Sequence, residues 1–439
     1  MIDSHTRQGG TLAAVTSFRP RALLFWWAER DEASLGSGGN RGGIGIHADG
    51  EGAVAHAWFA DDRVSADAIG HAVGESALLA LASPFAGEPA CRAEAKLRED
   101  GFALHWHANR AGTWDIHYLA LGGSDLRRAA ILRLELAHDR PRAAVDVGFR
   151  PELVLFLPTA ATGADAPAPG LFYGVGAASG PHRQGATGVA ARIGDAAVVR
   201  SAQRADSVVA LPSVDGEAPF RALARLTELG PSGPVLEVTV DDAASPVPVA
   251  CLAMAGGRFS VSLHIGPPRP ERDRVDHVGF APVGLFAFTW GLARFAEIKE
   301  VPRLSVGAAD RAGCGCLSWT LRPRNEWPLE PRSRSTEGSL FEVLDTRSGN
   351  LHACARVADM RADGFTLEWP ESDGRRREFV YVAFGSAETG GRRAKLVAAI
   401  RRLFRLRIAQ AAPRGSSRRP AKQTRAQPRC SGETARARS

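Results

Sequence analysis

The sequence predicts an all-β protein of three tandem antiparallel β-sandwich modules, jelly-roll-like, with a basic C-terminal tail. Three observations predict it. The cadence Glu99-Asp-Gly-Phe-Ala-Leu-His-Trp106 returns as Arg361-Ala-Asp-Gly-Phe-Thr-Leu-Glu-Trp369 and, altered, as Ser232-Gly-Pro-Val-Leu-Glu-Val238. Phe18, Phe149 and Phe280 follow one another at a constant stride of 131 residues, and Gly45, Gly176 and Gly307 each lie 27 residues further on. Short apolar runs and turn signals recur in units of about 110 to 130 residues with little helical periodicity, the pattern of a sandwich or jelly roll.

After an arm to about Gly10, each module opens on a turn and a buried strand. The runs Ala22-Leu-Leu-Phe-Trp-Trp27, Leu153-Val-Leu-Phe-Leu157 and Leu285-Phe-Ala-Phe288 follow a proline and are apolar at every position. Such runs are too short for a helix and fit a strand covered on both faces. Next come Ile44-Gly45-Ile46, Val175-Gly176-Ala177 and Val306-Gly307-Ala308. In the recurring Asp-Gly strand, Phe102, Leu104 and Trp106 share one face, matched by Pro234, Leu236 and Val238 and by Phe365, Leu367 and Trp369. A polar hairpin loop then leads to Trp114–Gly122, Val247–Ala255 and Phe379–Gly385. Alternating segments Ile131–Leu136 and Phe259–Ile265 run into Pro-rich links at 138–142 and 267–271, which mark boundaries. The modules are therefore expected at 1–140, 141–270 (divergent) and 271–390, with 391–439 a basic amphipathic segment and disordered tail.

The combination Gly-Phe-x-Pro, Val-Gly-Ala, Asp-Gly-Phe-x-Leu-x-Trp and Tyr-Leu-Ala-Leu-Gly-Gly resembles a repeat of bacteriophage virion and prophage-encoded proteins without assigned enzymatic activity. The resemblance covers nearly all of residues 14–388 and is weakest in the second module. It implies a virion or surface-recognition component whose partners are glycans or other virion proteins.

A length of 439 residues allows about two to four domains. With 44% hydrophobic and 23% charged residues, the chain can bury real cores. No apolar run approaches the roughly 18 residues of a bilayer helix, so no transmembrane span is expected. The opening residues lack a signal-peptide pattern, so the expectation is cytoplasmic synthesis without a classical signal peptide, followed by assembly into a virion.

The net charge of +7 is unevenly spread. Residues 391–439 hold 15 of the 55 basic residues and a single acid, Glu433, leaving the body acidic. Within this tail Leu396, Ile400, Leu403, Phe404 and Ile408 form an apolar stripe if the segment is helical, with arginines opposite, the form of a helix lying on an anionic surface. Helix is the expectation for 392–402. Residues 403–408 also alternate like a strand, and both readings stay open there. Arg401, Arg402, Arg405, Arg407, Arg418 and Arg419 are the candidate anion-binding residues, with an anionic surface or nucleic acid as partner.

Other chemistry is weighed at named residues. His105, His107 and His117 could converge across strands, but the other modules carry no equivalents, and no metal or cofactor is expected. Cys314-Gly-Cys316 reads as alternate strand residues, and the cysteines as free thiols. The stretch Gly36–Gly45 reads as a flexible loop, since no Lys-Ser/Thr follows it. Trp26, Trp27, Trp58, Trp114 and Trp319 read mostly as core or sheet-face packing, with one or two as candidates for stacking on sugar rings. Asp61, Asp62, Glu75 and Asp100 supply carboxylates for an enzyme. The functional expectation is a non-enzymatic structural or surface-recognition protein. The alternatives are a binder of anionic surfaces or nucleic acid through the Arg-rich tail, and a glycan-active enzyme using the first module.

Overall fold

The computed structural model describes residues 10–29, 40–60, 69–81, 89–109, 114–161, 168–192, 198–214, 218–240, 246–291, 298–299, 303–322, 330–346, 348–386 and 397–406. Among them the fold is all-β, in six antiparallel sheets.

The first repeat contributes β1 (Thr11–Val15), β2 (Pro20–Glu29), β3 (Asn40–Ala48), β4 (Gly52–Ala60), β5 (Ile69–Gly74), β6 (Leu78–Leu81), β7 (Pro89–Arg98), β8 (Gly101–Asn109) and β9 (Trp114–Gly122). A connecting strand β10 (Arg128–Leu136) follows. The second repeat contributes β11 (Arg142–Ala144), β12 (Leu153–Pro158), β13 (Ala168–Pro169), β14 (Leu171–Gly180), β15 (Arg183–Arg192), β16 (Val198–Arg204), β17 (Val209–Pro212), β18 (Phe220–Leu229), β19 (Pro234–Val240) and β20 (Val247–Ala255). A second connecting strand is β21 (Arg258–Gly266). The third repeat contributes β22 (Glu271–Val275), β23 (Pro282–Thr289), β24 (Ile298–Lys299), β25 (Arg303–Asp310), β26 (Cys314–Arg322), β27 (Glu330–Glu337), β28 (Phe341–Leu344), β29 (Leu351–Met360), β30 (Phe365–Glu371) and β31 (Arg377–Gly385). The last described strand is β32 (Val397–Leu406).

Each repeat pairs a four-stranded sheet with a larger one. The small sheets run β1-β8-β7-β6, β11-β19-β18-β17 and β22-β30-β29-β28. The large sheets share the order β5-β4-β3-β2-β9, β16-β15-β14-β12-β20 and β27-β26-β25-β23-β31. Within each sheet runs of consecutive strands are neighbours, while β9, β20 and β31 return beside β2, β12 and β23, and β8, β19 and β30 lie beside β1, β11 and β22, so the wiring combines meanders with Greek-key-like crossovers.

The connecting strands tie the repeats together. β10 leaves the first repeat and pairs with β20 of the second, and β21 leaves the second and pairs with β31 of the third. β32 returns to the first repeat and pairs with β9. Every repeat thus lends its closing strand to the next, and the cycle closes. Packing follows the same rotation: β10 lies against β3 and β4, β21 against β14 and β15, and β32 against β25 and β26.

This topology explains the doubly apolar runs. Leu23, Phe25 and Trp27 point into the core between the two sheets of their own repeat, as do Val154 and Phe156 in the second and Leu285 and Ala287 in the third. The alternate residues Leu24, Trp26, Leu155, Leu157, Phe286 and Phe288 enter one central core shared by all three large sheets. At its middle Trp58 stacks on Tyr173 with centroids 5.3 Å apart, and Trp319 donates through Nε1 to the Tyr173 hydroxyl at 2.7 Å. Aromatic pairs of this kind add about 0.5–1.5 kcal/mol each beyond their buried area.

The motif glycines mark close approaches. A Cβ on Gly45, Gly176 or Gly307 would lie 2.2, 1.9 and 2.0 Å from the carbonyl oxygens of Ala77, Val208 and Leu340, just before β6, β17 and β28. In the Asp-Gly-Phe motif, Gly101 and Gly364 lie under the edge-strand carbonyls of Ala14 and Val275 in the same way. No side chain fits at these positions without moving backbone.

Two expectations are corrected here. Residues 397–406 are a strand, not an amphipathic helix, and β32 runs through the 403–406 stretch left open between the two. The free edge of β9 supplies a full ladder of backbone partners, which outweighs the weak tendency of so short a segment to form a helix alone. The glycine-rich stretch is strand from Asn40 onward. Gly42 and Gly43 lack side chains because the indoles of Trp58 and Trp27 occupy that space, 2.4 and 2.2 Å from where a Cβ would stand.

Candidate functional site

The three interfaces between successive repeats use equivalent positions, so their contents compare residue by residue. On the first partner of each interface the facing pair is His56↔Val73, Thr187↔Gln203 or Leu317↔Ser335. The second partner presents the residue paired with the inward strand: Ala250 opposite Leu157, Val380 opposite Phe288 and His117 opposite Trp26.

At these positions two of the interfaces are filled, although a separate cleft of about 530 Å³ lies between the second and third repeats beside Arg150, Arg258 and Phe280. Between the second and third repeats, Gln203 donates to the Glu378 carbonyl at 3.0 Å and accepts from the Trp290 amide at 3.2 Å. The Trp290 side chain is fully buried in the shared core, and a Cβ on Gly185 would meet Val380 at 2.7 Å. Between the third and first repeats, His117 Nε2 lies 2.7 Å from Ser335 Oγ, and its ring stacks on Trp26 with centroids 5.8 Å apart. A Cβ on Gly315 would stand 2.7 Å from His117 Nδ1.

The interface between the first and second repeats is open. Ala250 replaces Val380 and His117, Val73 replaces Gln203 and Ser335, and Thr159 stands 131 residues before Trp290. A cleft of about 430 Å³ results, lined by Val54, His56 and Val73 on one side and by Arg133, Thr159 and Ala250 on the other. That volume falls within the usual range of ligand sites.

His56 is the chemical centre of this cleft. Its ring is buried and neither nitrogen has a hydrogen-bond partner among the described residues. Burial, and secondarily the neighbouring His71, pushes its pKa down to about 3, so the imidazole is neutral at physiological pH. His71 is also neutral, lowered to about 4 by burial, and its Nδ1 lies 3.0 Å from the Gly170 carbonyl. Thr159 Oγ1 accepts from the Ala161 amide at 3.2 Å, which leaves its own proton to donate. Arg133 forms an ion pair with Glu75 at the rim, where Glu135 and Arg140 also stand. Two acids and two bases balance there. Comparison with protein-family models, with curated proteins and with solved structures finds no match.

The sequence-predicted candidates lie elsewhere, apart from Glu75. His105, on β8, is hydrogen-bonded to Thr11 Oγ1 at 3.0 Å, and His107 pairs with Glu94 at 3.3 Å, whereas His117 lies in the large sheet at the interface with the third repeat. The three are not brought together. Trp26, Trp27, Trp58, Trp114 and Trp319 are each at most 3% exposed, so none offers a face to a sugar; they pack cores. Cys91, Cys251, Cys314, Cys316 and Cys354 are free thiols, and Cys314 and Cys316 alternate on β26 as expected. Asp100 sits in the β7–β8 turn, its carbonyl accepting from Thr16, while Asp61 and Asp62 lie outside the described residues. Of the tail arginines, Arg401, Arg402 and Arg405 belong to β32, the first two opposite Tyr118 and His117, and Arg407, Arg418 and Arg419 lie outside the described residues. No helix among the described residues is long and apolar enough to cross a membrane.

Sequence reasoning missed His56, Val73 and Thr159. The constant stride held a signal for Thr159, since the same step that aligns Phe149 with Phe280 aligns it with Trp290 and sets a threonine against an indole.

Proposed function

We propose that this protein is a non-enzymatic structural and surface-recognition protein, a component of a bacteriophage or prophage particle. The observation that carries this reading is the closed exchange of β10, β21 and β32 among the three repeats. No repeat can separate from its neighbours without breaking a full strand ladder, so the chain is a single body suited to holding surface features at fixed spacing. One chain thereby does what a closed cyclic assembly of three subunits would do. The resemblance of its motifs to virion repeats supports the same reading, and the cleft between the first and second repeats supplies a place for recognition.

The test is to raise antibodies to the full chain and use immunogold labelling on particles recovered from the strain that encodes it. Gold at one fixed position on the particle is the expected result. Particles that carry none of the protein would overturn the reading.

A further inference from the structure

We infer that the cleft between the first and second repeats binds a neutral sugar unit of a glycan. The inference rests on the recognition reading and names its ligand. It starts from an inequality among three equivalent interfaces. Where the other two close at these equivalent positions on Trp290 and Gln203, or on His117 and Ser335, this one keeps a cavity of about 430 Å³ there. The polar residue that lines it is also unlike its counterparts. Thr187 is committed to the Val175 carbonyl at 3.3 Å and Leu317 has no polar group, whereas both nitrogens of His56 lack a partner among the described residues.

The chemistry of the lining selects the ligand. A neutral imidazole presents one N–H donor and one acceptor nitrogen. A hydroxyl-bearing ligand satisfies both, since hydroxyls donate and accept. An oxyanion, which only accepts, leaves the acceptor nitrogen unpaired, and an ammonium group, which only donates, leaves the N–H unpaired. Buried groups left unpaired cost binding free energy, so the site discriminates against both. The rim points the same way, because Glu75 and Glu135 balance Arg133 and Arg140 and give no field favouring either sign. Val73 and Pro248, both partly exposed, provide aliphatic surface for the C–H face of a pyranose. Thr159, whose Oγ1 already accepts from the Ala161 amide, adds a donor.

The test uses the full chain and two substitutions that copy residues the third repeat carries at the same positions, His56→Leu after Leu317 and Thr159→Trp after Trp290. Each protein is applied to an array of neutral hexose and N-acetylhexosamine oligomers, with uronate- and sialate-bearing oligomers beside them, and its fold is checked by thermal melting. The expected result is binding of neutral oligomers by the unaltered chain, weakened at least tenfold by Thr159→Trp and by His56→Leu in proteins that melt normally. Binding that survives in both folded variants, a preference for the acidic oligomers, or no glycan binding by the unaltered chain overturns the inference. None of these outcomes bears on whether the protein sits on a particle, so the two readings fail separately.

Discussion

The Nε2 atom of His117 lies 2.7 Å from the Oγ of Ser335, joining the first repeat to the third across 218 positions of sequence. The same imidazole faces Gly315, where a Cβ would stand 2.7 Å from Nδ1. The equivalent positions between the first and second repeats are Val54 and Ala250, which both line the cleft, and between the second and third a Cβ on Gly185 would meet Val380. Bulk on one partner is matched by its absence on the other.

Gly315→Val overfills this meeting and is expected to lower stability by about 1–3 kcal/mol in urea unfolding. Combined with His117→Ala it recreates the Val54 and Ala250 pair. The double variant is then expected to be more stable than the sum of the single changes by on the order of 1 kcal/mol. Strict additivity would show that the two residues do not meet.

Trp290→Thr copies Thr159 into the interface between the second and third repeats. The indole is fully buried and contacts the rings of Tyr173 and Trp319, so its loss is expected to cost roughly 3–5 kcal/mol, read from the urea midpoint. A change below about 1 kcal/mol would mean that the interface closes by other means.

Acid is expected to unfold the protein through its buried histidines. His56 is lowered to about 3, and His47 and His71 to about 4, all by burial, against an ordinary value of 6.5. The unfolded chain therefore binds more protons between those values and 6.5. Stability is complete above about pH 6.5 and falls as pH drops through that window, by up to roughly 1.4 kcal/mol per pH unit for each histidine. His56→Leu is expected to flatten the dependence of the urea midpoint between pH 7 and pH 4. An unchanged slope would contradict the assignment.

Truncation separates two roles for the basic end. A chain ending at residue 408 keeps β32 and is expected to melt as the whole protein does. A chain ending at residue 390 uncovers the edge of β9, and is expected to self-associate on a sizing column and melt roughly 5 °C lower or more. Equal behaviour of the two would show that β32 contributes nothing to the first repeat.

The repeats and most strands were legible because period-two patterns and turn residues are local. Phe102, Leu104 and Trp106 announce a strand face wherever the chain goes. What covers the second face of Leu24 and Trp26 was not legible, since the answer is the other two repeats. The segment 397–406 misled for a related reason. Its spacing suits a helix in isolation, and the edge that claims it, β9, lies nearly 300 residues earlier. The tryptophans read mostly as core packing, and whether one or two kept a face free for a sugar was not legible because size and aromaticity are visible in sequence and burial is not. The cleft was hidden further still, being a difference between Thr159 and Trp290 that has meaning only once the interfaces are superposed.

Closure of the strand exchange is tested most directly by electron–electron distances between spin labels on the three equivalent hairpin tips, at Glu51, His182 and Arg311, taken in pairs. The account expects three distances equal within the spread of the labels. A distance between positions 51 and 311 about twice the other two would mean that the repeats run in a line, and would contradict it.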